Sequence, residues 1–423
     1  MQRSIWAHLA SYAAVVLTCS VVLGGCCGLN NAGSGSSGGG TAASGTVITI
    51  GADLPLSGGD ASDGVPTKNG VLLAVKDAND QHLVPGFTIA ADPRDDAVNG
   101  VHDPNQGNQN VQSLANEPTV LGIVGPFNSN VAQAEIPVSN SLGIALVSPA
   151  TTNPDLTKGP KALSLRRDHP DTITYFRVCA TDDVQGPVGA DYAALILHLR
   201  KAYMVDDNET YGKGVADKWA DEFVADGGTV LGRDHITKGQ NDFHALLTRA
   251  AALHPDVVFF GGVTANGGGQ FRRQMSGSEL ANVVMFGADG IRNAQFITDA
   301  GSTADQVYAT VASVNADKIP AAQTFLKEYA KTYNAPVGSY SAAGYVSAMV
   351  IIKAIGALVK SNGGKMPTRA AVLTQIRSNQ KFDTIIGTFA FDENGDTTNK
   401  IISIYEAKKG AWSFLTQVLF KKH

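Results

Sequence analysis

Apolar and polar positions alternate along this chain in two rhythms that take turns. Short continuous apolar runs, such as Val120–Val124, Ile144–Ser148, Lys201–Val205, Val257–Gly261 and Val283–Phe286, read as strands buried on both faces. Between them lie segments with helical spacing. In the first, Val71, Leu72, Val75 and Ala78 fall on one face. Val47–Ile50 and Phe87–Ala90 open the series as strands. Asp103-Pro104 predicts a helix start, a cap residue followed by proline in the first turn. Further helices are expected over 129–141 (kinked at Pro137), 187–199, 213–226, 242–252 and 268–276, with a strand over 229–235. Two such βαβ series predict an α/β protein with two doubly wound sheets. Helices over 321–333 and 341–360 are expected to pack on the first of them. Asn394-Gly395 reads as a hairpin turn between strands Thr384–Phe391 and Ile401–Ala407.

The first twenty-five residues carry a different pattern. Arg3 is followed by an apolar run from Ala13 to Leu23, about eleven residues, too short to span a bilayer and suited to a signal peptide core. Leu23-Gly24-Gly25-Cys26 resembles a bacterial lipoprotein box, in which Cys26 would take the lipid and anchor the chain outside the membrane; an ordinary secretory cleavage nearby is the alternative. Residues 26–45 are Gly/Ser-rich and read as a flexible tether, reaching roughly 25 Å. Gly33-Ser-Gly-Ser-Ser-Gly satisfies a nucleotide-loop spacing, but no strand precedes it and no helix follows, so it is linker.

Composition narrows the function class. About 380 residues remain for the fold, natural for two lobes. Without Arg3 the chain carries 32 basic and 38 acidic residues, a mildly acidic balance that argues against nucleic acid as a partner. Of four cysteines, Cys19 leaves with the signal and Cys26 takes the lipid; Cys27 and Cys179 are expected to be free thiols, with a bridge between them as the alternative. No nucleophile-elbow, zinc-protease or P-loop motif occurs, and the nine histidines are scattered. Asp206 and Asp207 are neighbours on a strand end and should point opposite ways. The Asp392–Asp396 run lacks the pattern of a calcium loop. No catalysis, metal or cofactor is expected.

Candidate binding residues cluster at two strand ends. Val120–Val124 runs into Gly125-Pro126 and a helix whose first residues are Asn128, Ser129 and Asn130; the second strand ends at Ala150, Thr151 and Thr152. Free helix N–H groups and hydroxyls at neighbouring strand ends suit a small carboxylate, although Ser129 and Thr152 would each also serve as helix caps.

These marks together resemble the leucine/isoleucine/valine-binding family, type I periplasmic solute-binding proteins of ABC transporters. The matching pieces are Leu54-Pro-Leu-Ser-Gly, Asp95-Asp96-Ala, Ser148-Pro-Ala-Thr-Thr-Asn-Pro-Asp-Leu-Thr, Gln185-Gly-Pro, Tyr211-Gly-Lys-Gly, Gly287-Ala-Asp-Gly and Phe391-Asp-Glu-Asn-Gly-Asp. The resemblance implies two Rossmann-like lobes with parallel sheets, joined by a three-strand hinge, with crossings near Val178–Asp182, Ala312–Ala316 and Gly387–Ala390. Lobe one would be 46–179 plus 316–387, and lobe two 183–312 plus 388–423. It further implies an amino-acid site. Ser129, flanked by Asn128 and Asn130, would bind the ligand carboxylate; Thr152 would serve both ends; Ala150 would offer a carbonyl to the ammonium. Tyr211 would close over the ligand, and Asp289 would pair with its ammonium. The implied partners are a small amino-acid-like ligand, an ABC permease and, through the lipid, the membrane; a ligand-sensing receptor with a separate membrane partner is the alternative role. Two departures bear on the ligand. Asp63 lies near a position that is aromatic in leucine-type relatives, and Val263–Thr264 replaces another tyrosine, so the wall around an aliphatic side chain is altered. The cysteine pair some relatives carry is replaced here by Val98 and Asn128.

Overall fold

The computed structural model describes residues 46–378 and 381–420, so the signal, Cys26, Cys27 and the tether lie outside the described residues. The apolar runs form two sheets. In the first, β1 (Thr46–Leu54), β2 (Phe87–Asp95), β3 (Val120–Val124), β4 (Ala145–Ser148) and β5 (Tyr175–Arg177) are all parallel, in the order β2-β1-β3-β4-β5. Pro93 sits in β2, an edge strand, where its missing N–H costs no ladder bond. The second sheet holds β6 (Lys201–Asp206), β7 (Thr229–His235), β8 (Val257–Gly261), β9 (Val284–Gly287), β10 (Val307–Val311), β11 (Ile401–Lys408) and β12 (Ala411–Leu419), in the order β12-β11-β10-β9-β8-β6-β7. Five of its strands are parallel; β11 and β12 are antiparallel additions at one edge. Both orders reverse next to the first strand of their series, which opens a crevice at the strands' carboxyl ends.

Helices cover both sheets. Helix Ala61–Asp80 buries Val71, Leu73, Ala74, Val75 and Ala78, whereas Leu72 is only half-buried, so its apolar stripe is shifted from the expected one. Helix Ser341–Ser361 is apolar nearly all round because it packs between that helix and the first sheet, in one core with Ile48, Ile50 and Val124. Helix Gln323–Tyr333 joins the same core through Phe325 and Tyr329. The second lobe has two apolar clusters: one holds Phe243, Phe260, Phe271 and Phe296, and the other Trp219, stacked on Phe223 and Phe259 at 4.6 and 4.8 Å.

Two expectations fail locally. The helix expected at 187–199 starts at Asp182, ends at Asp191 and continues as a wider π turn over Tyr192–Ile196. Pro187 resembles a first-turn proline but sits in the second turn; Asp182 and Asp183 occupy the positive N-terminal end instead. Asn394-Gly395 does turn the chain, but it does not join the two strands expected. Phe382–Thr384 pairs with Gly387–Phe389, and β11 pairs with β10 and β12. The Asp392 side chain accepts the N–H groups of Asn394 and Asp396, closing a local turn. The tight hairpin lies at Lys409-Gly410, both with positive φ, between β11 and β12.

Candidate functional site

The site is assembled from strand ends of both lobes. β3 leads through Gly125, where a side chain would collide with the Asp53 carbonyl and φ is +133°, so glycine is required. Beyond it helix Ser129–Leu142 begins, with Asn128 extended at its cap position and no side-chain cap bond. In its first turn the Val131 N–H donates to Asn130 Oδ1 at 3.0 Å, whereas the N–H groups of Ser129 and Asn130 have no acceptor one turn back in the helix. Asn128 and Ser129 at this helix end line a cavity of about 20 Å³ together with Phe127, Ala150, Tyr211, Val263, Asp289 and Gly290.

Asp289, at the end of β9, is the electrostatic centre. Its Oδ1 accepts from Gln185 Nε2 at 2.7 Å and Tyr211 OH at 2.9 Å, and its Oδ2 from Tyr340 OH at 2.9 Å. The Tyr211 hydroxyl in turn accepts the Gly290 N–H at 2.9 Å. A carboxylate offers about four lone-pair sites, so three donors orient Asp289 and leave room for one more. Burial raises its pKa; the bonds from Gln185, Tyr211 and Tyr340 oppose that rise. Nearby, Asp182 is fully buried, and neither of its oxygens has a hydrogen-bond partner of good geometry. Burial pushes its pKa well above the usual carboxylate range, the Asp289 charge pushes further, and the Thr152 hydroxyl acts the other way.

The structure thus brings together five of the seven expected residues, Asn128, Ser129, Ala150, Tyr211 and Asp289. Thr152 stands behind that lining: its carbonyl accepts the Asp182 N–H at 2.8 Å and its hydroxyl is buried without a partner. Thr151 faces the first lobe's interior, its hydroxyl bonded to Ser148 and Tyr175. The 151–157 loop is held by Arg177, which is wholly buried, bonds Asp396 at 2.7 Å and donates to the carbonyls of Thr151 and Asn153. Burial alone would raise the Asp396 pKa, but Arg177 outweighs it and holds the carboxyl low. Cys179 is free and buried, its thiol on the Thr151 carbonyl. Asp206 and Asp207 do point apart, Asp206 to Arg233 and His235, Asp207 to Asn266.

Sequence reasoning missed Asp182, Tyr340 and Gln185 as site residues. Gln185 stood within one of the matching motifs but without a role. Tyr340 precedes a long apolar helix, where it looks like core.

Residues 47–411 match the family model described as periplasmic binding protein. A curated relative, the Leu/Ile/Val-binding protein BraC3 of Rhizobium johnstonii, is 32% identical over 372 residues, 86% of this chain and 92% of the relative. Among solved structures, the leucine-binding protein LivK of Thermotoga maritima superposes with a TM-score of 0.75 at 23% identity, covering 88% of this chain and 98% of that one. LivJ of Streptococcus pneumoniae, solved with isoleucine, gives 0.75 at 22%, covering 88% and 99%. These likenesses show two Rossmann-like lobes on a three-strand hinge. The chain belongs to the periplasmic binding protein family, as a type I extracytoplasmic solute-binding protein of the leucine/isoleucine/valine-binding group and not an enzyme.

Proposed function

We propose that this chain is the capture protein of an ABC importer, binding a small amino acid between its lobes and delivering it to a permease. The lobes would be 46–179 with 316–387, and 183–312 with 388–423. The observation that carries the reading is Asp289, a buried carboxylate fixed by three donors, facing the open N-terminus of helix Ser129–Leu142 across one small cavity. A zwitterion needs that pairing: N–H and hydroxyl donors from Ser129 at its carboxylate, Asp289 and the Ala150 carbonyl at its ammonium. Thr152 and Asn128 complete the first-lobe side, Thr151 shapes the loop, and Tyr211 brings the second lobe down. Relatives named for Leu, Ile and Val binding support an amino acid of branched-chain type or a related small zwitterion. Differential affinity of this site for the ligand biases the hinge toward closure. A lipid on Cys26 would hold the protein at the outer face of the membrane on its Gly/Ser tether.

Asp289→Ala is expected to weaken amino-acid binding by roughly tenfold to a hundredfold or more, the loss of a charge-assisted bond of about 1.5–3 kcal/mol. Unchanged affinity by titration calorimetry, with an unchanged melting curve, would remove Asp289 from the ammonium site. Cys26→Ser should release the chain from the membrane fraction, and continued sedimentation with membranes would rule out lipidation.

A further inference from the structure

The amino-acid reading leaves the ligand's side chain open, and any assignment of that side chain rests on the reading being right. Gly290 lines the small cavity, and the chain beyond it, Arg292 and Asn293, lines a second cavity between the lobes of about 510 Å³. Its walls include Pro66 and Val337 from one lobe and Ile297 and Trp412 from the other. Two charged side chains interrupt this apolar lining. Asp63, in the first turn of helix Ala61–Asp80, is 8% exposed, and its Oδ2 accepts from Asn293 Nδ2 at 2.6 Å. Its Oδ1 remains for another donor. The Arg292 guanidinium lies 4.1 Å over the Tyr405 ring, and its Nη1 donates to Ser339 Oγ at 3.2 Å. Its Nε is buried with no partner. No ion pair joins Asp63 to Arg292.

Ser62, Asn293 and Ser339 also line this wall, Asn293 and Ser339 being bonded to Asp63 and Arg292; the acceptor left on Asp63 and the donor left on Arg292 match a primary carboxamide, whose NH₂ donates and whose carbonyl accepts. A plain aliphatic side chain would bury both groups unmatched, which is unfavourable. An ammonium head would suit Asp63 but meet the Arg292 charge, and a carboxylate would suit Arg292 but meet Asp63. We infer that the ligand is an α-amino acid whose side chain ends in a carboxamide, selected by Asp63 and Arg292. Burial also pushes the Asp63 pKa up to about 8, against the opposing Asn293 bond, with Asp60 and Asp289 adding to the rise.

Titration calorimetry on the full chain with glutamine, asparagine, leucine, lysine and glutamate tests this. One of the two amides is expected to bind at least tenfold more tightly than the other three. Asp63→Leu should cut that preference at least tenfold, and Asp63→Asn, which keeps an acceptor, should retain it within a few-fold; melting curves confirm that both variants fold. Tighter binding of leucine, lysine or glutamate than of either amide overturns the inference while leaving the amino-acid reading standing. Binding of none of the five overturns both.

Discussion

Near the edge of the interface between the lobes, Asp60 and Glu209 face each other across His102. Deeper in, Asp289 lines the small cavity and Asp182 is buried close enough to repel it; no cationic side chain, among the described residues, is hydrogen-bonded to either. His102 Nδ1 lies 2.6 Å from Asp60 and Nε2 2.8 Å from Glu209, so a protonated ring donates to one carboxylate from each lobe. The second lobe adds Lys238, whose ammonium donates to the His102 carbonyl at 3.2 Å. Burial alone would lower the His102 pKa, but the bonds to Asp60 and Glu209 raise it to about 10. The outer cluster therefore carries its own positive charge as part of the protein. In the inner one Asp289 has only neutral donors, and the Arg177 charge reaches Asp182 through space without bonding it. A resident cation makes a latch; its lack beside an oriented carboxylate makes a site that an incoming ammonium can complete.

The largest expected effect breaks the latch. His102→Gln leaves Asp60 buried beside a neutral partner and should destabilise the protein by about 3–5 kcal/mol, read as a lower melting temperature at pH 6. The sign of its pH dependence follows from the raised pKa. The His102 contribution is complete below the unfolded value near 6.5 and fades as pH rises through about 10. Asp96 and Asp207 also face His102 and titrate in the same environment, so wild type and variant must be compared at each pH. Equal melting temperatures across pH 6–10 would reduce the latch to a contact without energetic weight.

How much of this was legible in the sequence depends on the range of the interaction. Strand runs such as Val120–Val124 and Val257–Gly261 appear as expected, because burial on both faces writes a continuous apolar signal locally. The cap at Asp103 is local too, and it accepts the N–H groups of Asn105 and Gln106. The Asn394-Gly395 hairpin misled because a turn's chemistry is local while the partners of its flanking strands are not. Asp289 could be placed by its motif, whereas its donors Gln185 and Tyr340 arrive from 104 residues before and 51 after. No spacing in the chain announces such a meeting. His102 was one of nine scattered histidines, and only the folded chain gives it two carboxylates.

A smaller effect sharpens the contrast at the inner pocket. Asp182 repels Asp289 and its carboxyl oxygens have no hydrogen bond of good geometry, so Asp182→Asn should stabilise the unliganded protein by about 1–3 kcal/mol at pH 8 and weaken binding of an amino acid. At pH 4 the stabilising effect should shrink, since the folded carboxyl is then neutral and the unfolded one only partly charged. A variant that melts lower at pH 8 would mean that Asp182 holds the hinge together rather than contributing negative charge to the site.

The smallest expected effect comes from a third group of carboxyls, which supplies the control for the other two. Asp53, Asp96 and Glu135 are wholly buried in the first lobe, and Asn110 donates to Asp53 at 2.6 Å. Like the inner pocket, this group has unpartnered carboxyl oxygens and, among the described residues, no cation hydrogen-bonded to it; unlike the pocket, none of its members lines the small cavity. Burial pushes Asp53 up to about 6, with Glu135 and Asn110 as opposing hydrogen-bond partners, and Glu135 well above its ordinary range. A raised carboxyl pKa means that stability falls as pH climbs through the unfolded value toward the folded one. Glu135→Gln keeps a donor for Asp53 while removing the need to bury a proton or a charge, so it should raise stability at pH 8 by about 1 kcal/mol and leave amino-acid affinity unchanged. Should this variant instead lose ligand binding, buried carboxyls away from the cavity would be coupled to capture. The division between latch, pocket and core would then have to be redrawn around charge rather than position.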